Sequence, residues 1–179
     1  MQTEGVWRKV VNLPQKLMAI ARLQYDHAPN RAAVTAQIAV AIAILVVAPV
    51  RLINATVTAT QSVSTGMNQS LTVVAFTGAG GIGASVGNSG SRTAPSVVLT
   101  TTRAGSFVYG VGNDPIRRAA RTPGANQSIV HQWVDTDSNQ TFWVQARNGL
   151  VPVAGTGVNI NSASVNGDWN LVAVEILGR

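Results

Sequence analysis

The chain has 179 residues, is 46% hydrophobic against 11% charged, and carries a net charge of +6. That balance excludes a disordered chain and leaves room for one ordinary domain plus an extension. Cysteine is absent, which excludes disulfides and thiolate metal sites.

The charge is uneven. Residues 1–51 hold Arg8, Lys9, Lys16, Arg22, Arg31 and Arg51 against Glu4 and Asp26, which is +4 of the +6. Beyond residue 51 lysine disappears, and Gly, Thr, Ser, Asn and Val dominate. The basic residues are scattered, and no recognition helix or RNP pattern accompanies them, so a nucleic-acid partner is not expected. Basic flanks beside an apolar run fit an anionic lipid surface instead.

In chain order, the first candidate element is QKLMAIARLQY at 15–25, bounded by Pro14 and Pro29. Leu17, Ile20, Ala21 and Tyr25 fall near one helical face, which fits a short amphipathic helix; two strands are the alternative. The next is VTAQIAVAIAILVVAPV at 34–50, a charge-free run between Arg31 and Arg51. Its apolar body includes Ile38, Val40, Ile42, Ile44, Leu45, Val46 and Val47. Its length meets the lower limit of the roughly 17–25 residues that cross a bilayer. The spacing fits a membrane-anchoring or assembly helix. Its Val/Ile richness also suits a pair of buried strands.

From Leu52 the period becomes two. LINATVTATQSV alternates Ile53, Val57 and Ala59 with Asn54, Thr56, Thr58 and Thr60. Further strands are expected at 70–77, 96–102, 106–111, 128–134, 141–146, 157–160 and 169–177. Turn-forming clusters at 64–68, 78–95, 112–115, 122–126 and 135–139 separate them. The pattern predicts a mainly β protein, an antiparallel β-sandwich or jelly-roll-like head over 52–179, behind a basic N-terminal region over 1–51 whose apolar segment is helical. WNLVAVEIL near the C-terminus is apolar on both faces apart from Glu175, so it is expected in the middle of a sheet.

Several motifs resemble catalytic ones, and their context fails. Gly78-Ala-Gly80-Gly-Ile-Gly83 matches G-x-G-x-x-G after an apolar stretch, VVAF. Such glycines serve a dinucleotide only where a helix follows and an acid stands about 20 residues on. ASVGNSGSRTAPS is no helix, and the next acid is Asp114; a flexible glycine loop is expected. Gly83-Ala-Ser85-Val-Gly87 matches the G-x-S-x-G elbow but lacks the strand–turn–helix setting. Only His27 and His131 are available to a triad, and His131 reads as a structural histidine in a strand.

Asp135-Thr-Asp137-Ser-Asn139 alternates oxygen ligands as a calcium loop does. The sixth position is Gln140 rather than Gly, and the twelfth is Ala146 rather than Glu. A hairpin turn is the expectation, and an irregular calcium site the alternative; no other cofactor is expected. Trp133, Trp143 and Tyr109, with Trp169 and Phe142 nearby, are either core or a glycan-stacking platform. Trp133 and Trp143 flank the 135–140 turn and read as cross-strand neighbours. Arg117, Arg118 and Arg121 read as a solvated basic loop, with an anion contact as the alternative. Asn54, Asn68, Asn126 and Asn139 head N-x-S/T sequons.

The segments ATVTATQSVSTGMNQSLTVVAFTGAGGIGAS, APSVVLTTTRAGSFVYGVGND, ANQSIVHQWVDT, TFWVQ and DWNLVAVEI occur in this order over about residues 54–177. Together they resemble a β-sandwich module that recurs in large secreted or surface proteins of environmental bacteria. An echo extends upstream, where Trp7, Val10 and Ala28-Pro29-Asn30 match a strand, a hairpin and a turn of that module. Residues 31–52 depart from it, as does Asp114-Pro115-Ile116. The resemblance implies an extracellular sandwich beside adhesive domains, and it brings no catalytic residues.

These observations lead to the expectation of a non-enzymatic, extracytoplasmic structural or adhesive module. It would be cell-surface or secreted, and tethered to a membrane or assembled through residues 34–50. Its partners would be copies of itself, neighbouring surface domains, a membrane or a glycan. A filament or appendage subunit and a glycan-binding module are the alternatives.

Overall fold

The computed structural model describes residues 71–76 and 79–178, and upstream of residue 71 the backbone of six strands. The described residues are all-β with antiparallel pairing throughout and no helix. The chain divides into two compact units, Met1–Gly78 and Ala79–Arg179.

In the first unit, β1 (Trp7–Pro14) pairs with β6 (Leu52–Ala59) over eight residues. The short strand β2 (Lys16–Met18) lies between β5 (Leu45–Val46) and β7 (Val74–Ala75). β3 (Leu23–Gln24) pairs with β4 (Gln37–Ile38). The division therefore falls at 78/79 rather than 51/52, because β6 and β7 pair with strands that precede residue 51. Within the expected helix at 34–50, Ile38, Leu45 and Val46 stand in β4 and β5. Val40, Ile42, Ile44 and Val47 lie outside the described residues, and so does the rest of the 34–50 expectation. Residues 16–18 and 23–24 of the 15–25 stretch are strand. Among the described residues no helix is long and apolar enough to cross a membrane.

The second unit contains β8 (Ala79–Ser91), β9 (Ser96–Thr100), β10 (Phe107–Asp114), β11 (Gln127–Asp135), β12 (Gln140–Arg147), β13 (Gly157–Asn161) and β14 (Asp168–Gly178). Five strands form one sheet in the order β11-β12-β10-β14-β8, and β13 pairs with β9 in a second. The expected strands from 96 onward all appear. β10 runs three residues further than expected, through Gly112-Asn113-Asp114. Gly112 belongs in the strand because Trp143 lies across from it: a Cβ there would meet the indole Cη2 at 2.7 Å.

Alternation decides which side chains become core. Val108 on β10, Trp143 on β12, and Trp169, Leu171 and Ala173 on β14 turn to one face of the large sheet. They cluster with Val97 and Leu99 of β9, Val158 and Ile160 of β13, and Val151. Gly110 lets the sheets approach: a Cβ there would lie 2.5 Å from Ile160 Cγ2. Burying each large apolar side chain contributes about 1.5–3 kcal/mol. The alternate residues Val111, Phe142, Val144, Val174 and Ile176 are also buried. β14, apolar on both sides, lies between β10 and β8 as its pattern requires.

Candidate functional site

The glycine segment is not a loop. Residues 79–91 form β8, paired with β14 along its whole length. Residues 79–83 of the first catalytic-looking motif and all of the second therefore lie in an extended strand, and the chain bends at 92–93 before β9. The glycines there accommodate bulky neighbours on β14. At Gly83 a Cβ would meet Glu175 Cδ at 2.6 Å, and at Gly90 it would meet Trp169 Cζ2 at 2.7 Å. Ser85 stands on β8 and His131 on β11, at opposite edges of the sheet. Four strand spacings, about 19 Å, separate them, so they form no catalytic pair. His27 lies outside the described residues.

Glu175 is the first unanticipated centre. Its register is broken by a β-bulge, where Gly83 and Ala84 together oppose one residue of β14. The bulge turns the Ala84 amide onto the Glu175 carboxylate at 3.0 Å. The same carboxylate accepts from the Thr102 amide at 2.9 Å, the Thr102 hydroxyl at 2.7 Å and the Arg103 amide at 3.1 Å. Burial alone would raise the carboxyl's pKa. The Ala84 amide, the Thr102 hydroxyl and amide, and the Ser106 hydroxyl outweigh burial and hold the carboxyl at about 2. Glu175 thus joins three segments: β8, β14 and the turn after β9.

A second centre surrounds Trp143. Arg121 forms a buried ion pair with Asp114, and its guanidinium lies 4.5 Å from the Trp143 ring centre. Burial raises the Asp114 pKa against the pull of the Ile116 amide and Arg121, and burial lowers that of Arg121. Trp143 Nε1 donates to Gln145 Oε1 at 2.9 Å. Gln145 in turn donates to Gln127 Oε1 at 2.7 Å and to the Asn161 carbonyl at 3.0 Å. Asn113 Nδ2, Arg121 Nε and Ser162 Oγ are buried with no hydrogen-bond partner among the described residues. Arg121 is therefore a core residue, not part of a solvated loop. Arg117 and Arg118 are exposed and donate to the carbonyls of Val165 and Thr136.

The 135–139 segment closes the β11–β12 hairpin. Asp135 is buried, and its carboxylate accepts from the Asp137 amide at 3.0 Å and from the Ser138 hydroxyl. Asn139, at φ 57°, has turned away; it accepts from the Arg118 amide and donates to the Ile116 carbonyl. Asp135, Asp137 and Asn139 thus do not converge, and no group of three metal-binding side chains occurs among the described residues.

The aromatic residues do not form one platform. The register pairs Trp133 with Phe142 and Trp143 with Gln132, so the two indoles point to opposite faces of the sheet. Trp143 is 1% exposed. Trp133 stacks on Phe142 with ring centres 5.5 Å apart. Tyr109 pairs with Ala146, four residues along β12 from Phe142, and burial raises its pKa. The expected cross-strand neighbourhood of Trp133 and Trp143 fails because their positions differ by one in register, and one position reverses the face. Of the sequons, Asn126 is exposed at φ 58°.

Compared with known protein families, characterised proteins and solved structures, the chain matches none. Its functional reading therefore rests on its own residues.

Proposed function

We propose that this protein is a structural or adhesive module, non-enzymatic and extracytoplasmic, whose second unit is an antiparallel β-sandwich of jelly-roll type. The observation that carries the reading is where the acidic side chains go. Of the five acids beyond residue 51, Glu175 ties strands together, Asp114 is buried against Arg121, and Asp135 caps a turn. Hydrogen-bonding capacity spent this way serves rigidity rather than proton transfer. The packing of β9 and β13 on the five-stranded sheet supports the sandwich. The resemblance over 54–177 supports an exported module, and it requires neither a ligand nor a metal.

The test has two arms. Protease treatment of intact cells that naturally make the protein should cleave it without lysis. Protection until lysis, with the protein in the soluble cytoplasmic fraction, would overturn the location. NADH titration and ester-hydrolysis assays should show no saturable signal. Turnover lost on Ser85→Ala would overturn the non-enzymatic role.

A further inference from the structure

The large sheet has two edge strands, β11 and β8, and they differ. β11 is broken by a bulge between Ile129 and His131 and carries His131 and Asp135. Such features discourage pairing with another chain. β8 is 13 residues long and contains no charged residue and no proline. Its first part is irregular around Gly81–Ala84, but Ser85–Ser91 pairs one-to-one with Val174–Asp168. Among the described residues no strand lies beyond it.

The exposed groups on this run are small. Ser85, Gly87, Ser89 and Ser91 are all exposed and alternate along the strand. Asn88 Oδ1 accepts the Ser89 amide at 2.9 Å, so that amide points away from β14, and a strand pairing there takes the place of this side-chain bond. The same alternation turns the main-chain groups of Ser85, Gly87 and Ser91 outward. A seven-residue run offers about 23 Å of open edge.

We propose that β8 pairs edge to edge with β8 of a second copy of this chain, antiparallel about a two-fold axis near Asn88. Two five-stranded sheets then become one continuous sheet. Charge and symmetry favour a second copy as the occupant. A two-fold pairing places the run against itself, so any charge in it would face its own image. β8 has none. Centring on Asn88 sets Gly87 against the second copy's Ser89, and Ser85 against its Ser91. These pairs are small and neutral, and they permit the close backbone approach that main-chain hydrogen bonding needs. This inference extends the proposed structural role to a partner and a strand, and it does not depend on where the protein resides.

The test uses the full chain in sedimentation equilibrium over a micromolar to millimolar series. The protein should dimerise. Ser85→Lys with Ser91→Lys should raise the dissociation constant at least about tenfold, since this register sets each lysine directly opposite a lysine of the second copy and like charges there repel. An equimolar mixture with Ser85→Glu/Ser91→Glu should restore pairing, with circular dichroism unchanged. A wild type that stays monomeric overturns the proposal. So does a lysine variant that associates as tightly, because association would then lie elsewhere in the chain. Since the chain has no cysteine, Asn88→Cys supplies a second measurement. Oxidation should yield a covalent dimer with Asn88→Cys and not with Val153→Cys, at a position that is 62% exposed. Equal yields from both overturn the axis.

Discussion

Replacing Glu175 with Gln isolates the contact that joins β8, β14 and the turn after β9. The carboxyl is held at about 2 against an ordinary 4.5. At ~1.4 kcal/mol per pKa unit this difference is about 3 kcal/mol. Glu175 is fully buried, but its partners Thr102 and Arg103 lie at the surface. Solvent screening there reduces the figure to roughly 2 kcal/mol. Glu175→Gln keeps the shape but turns an NH2 group toward amides that also donate. We expect it to lower unfolding free energy at pH 7 by about 2–3 kcal/mol. The sign with pH follows from the depressed value. The folded state binds fewer protons, so the stabilisation is present above about pH 4.5 and is lost as pH falls toward 2. Urea denaturation followed by tryptophan fluorescence, repeated from neutral to acidic pH, measures both quantities. Wild-type stability should drop more steeply than that of Glu175→Gln through that window. A variant within about 0.5 kcal/mol of wild type at pH 7, or one with an identical pH slope, would refute the reasoning.

Arg121→Met alone should cost about 3–5 kcal/mol, because it strands a buried Asp114 carboxylate; adding Asp114→Asn should recover much of that in the same denaturation assay. Gly110→Ala should cost about 1–3 kcal/mol by overpacking against Ile160. Gly87→Ala meets Val172 Cγ2 at 3.3 Å and the Leu171 carbonyl at 3.8 Å, and should stay within about 0.5 kcal/mol of wild type. Asp135→Ala should lower the melting temperature by loss of its turn contacts, equally with calcium and with a chelator; a calcium-dependent difference would revive the cation site.

Alternation and turn chemistry lead to six of the second unit's seven strands, β9 through β14; the exception is β8, which reads as a glycine loop. Its five glycines carry no periodic signal, because the pattern is written on β14, in Glu175 and Trp169, and not on β8 itself. Glu175 was visible as the lone acid in an apolar strand, but its amide partners come from residues more than 70 positions away. The pairing of Asp114 with Arg121 had no spacing rule to reveal it, since residues 115–120 between them form no regular element. The aromatic platform depended on register. A bulge and a hairpin length decide register, and neither is written in the identities of Trp133 and Trp143.

The position of β14 has a consequence for how the unit is made. Asp168–Gly178 is the last strand of the unit in sequence, yet it separates β10 from β8. A ribosome delivers it only after every other strand has emerged. Until then β8 has no partner, and β10 keeps one open edge. Contacts between β8 and β14 close a loop of nearly the whole unit, which slows folding and prolongs the exposure of these edges. Export in an unfolded state, or a chaperone that covers extended apolar strands, would shield them during that interval. Nascent chains stalled before Asp168 should therefore remain protease-sensitive throughout, and protection should arrive in one step once β14 has cleared the exit tunnel.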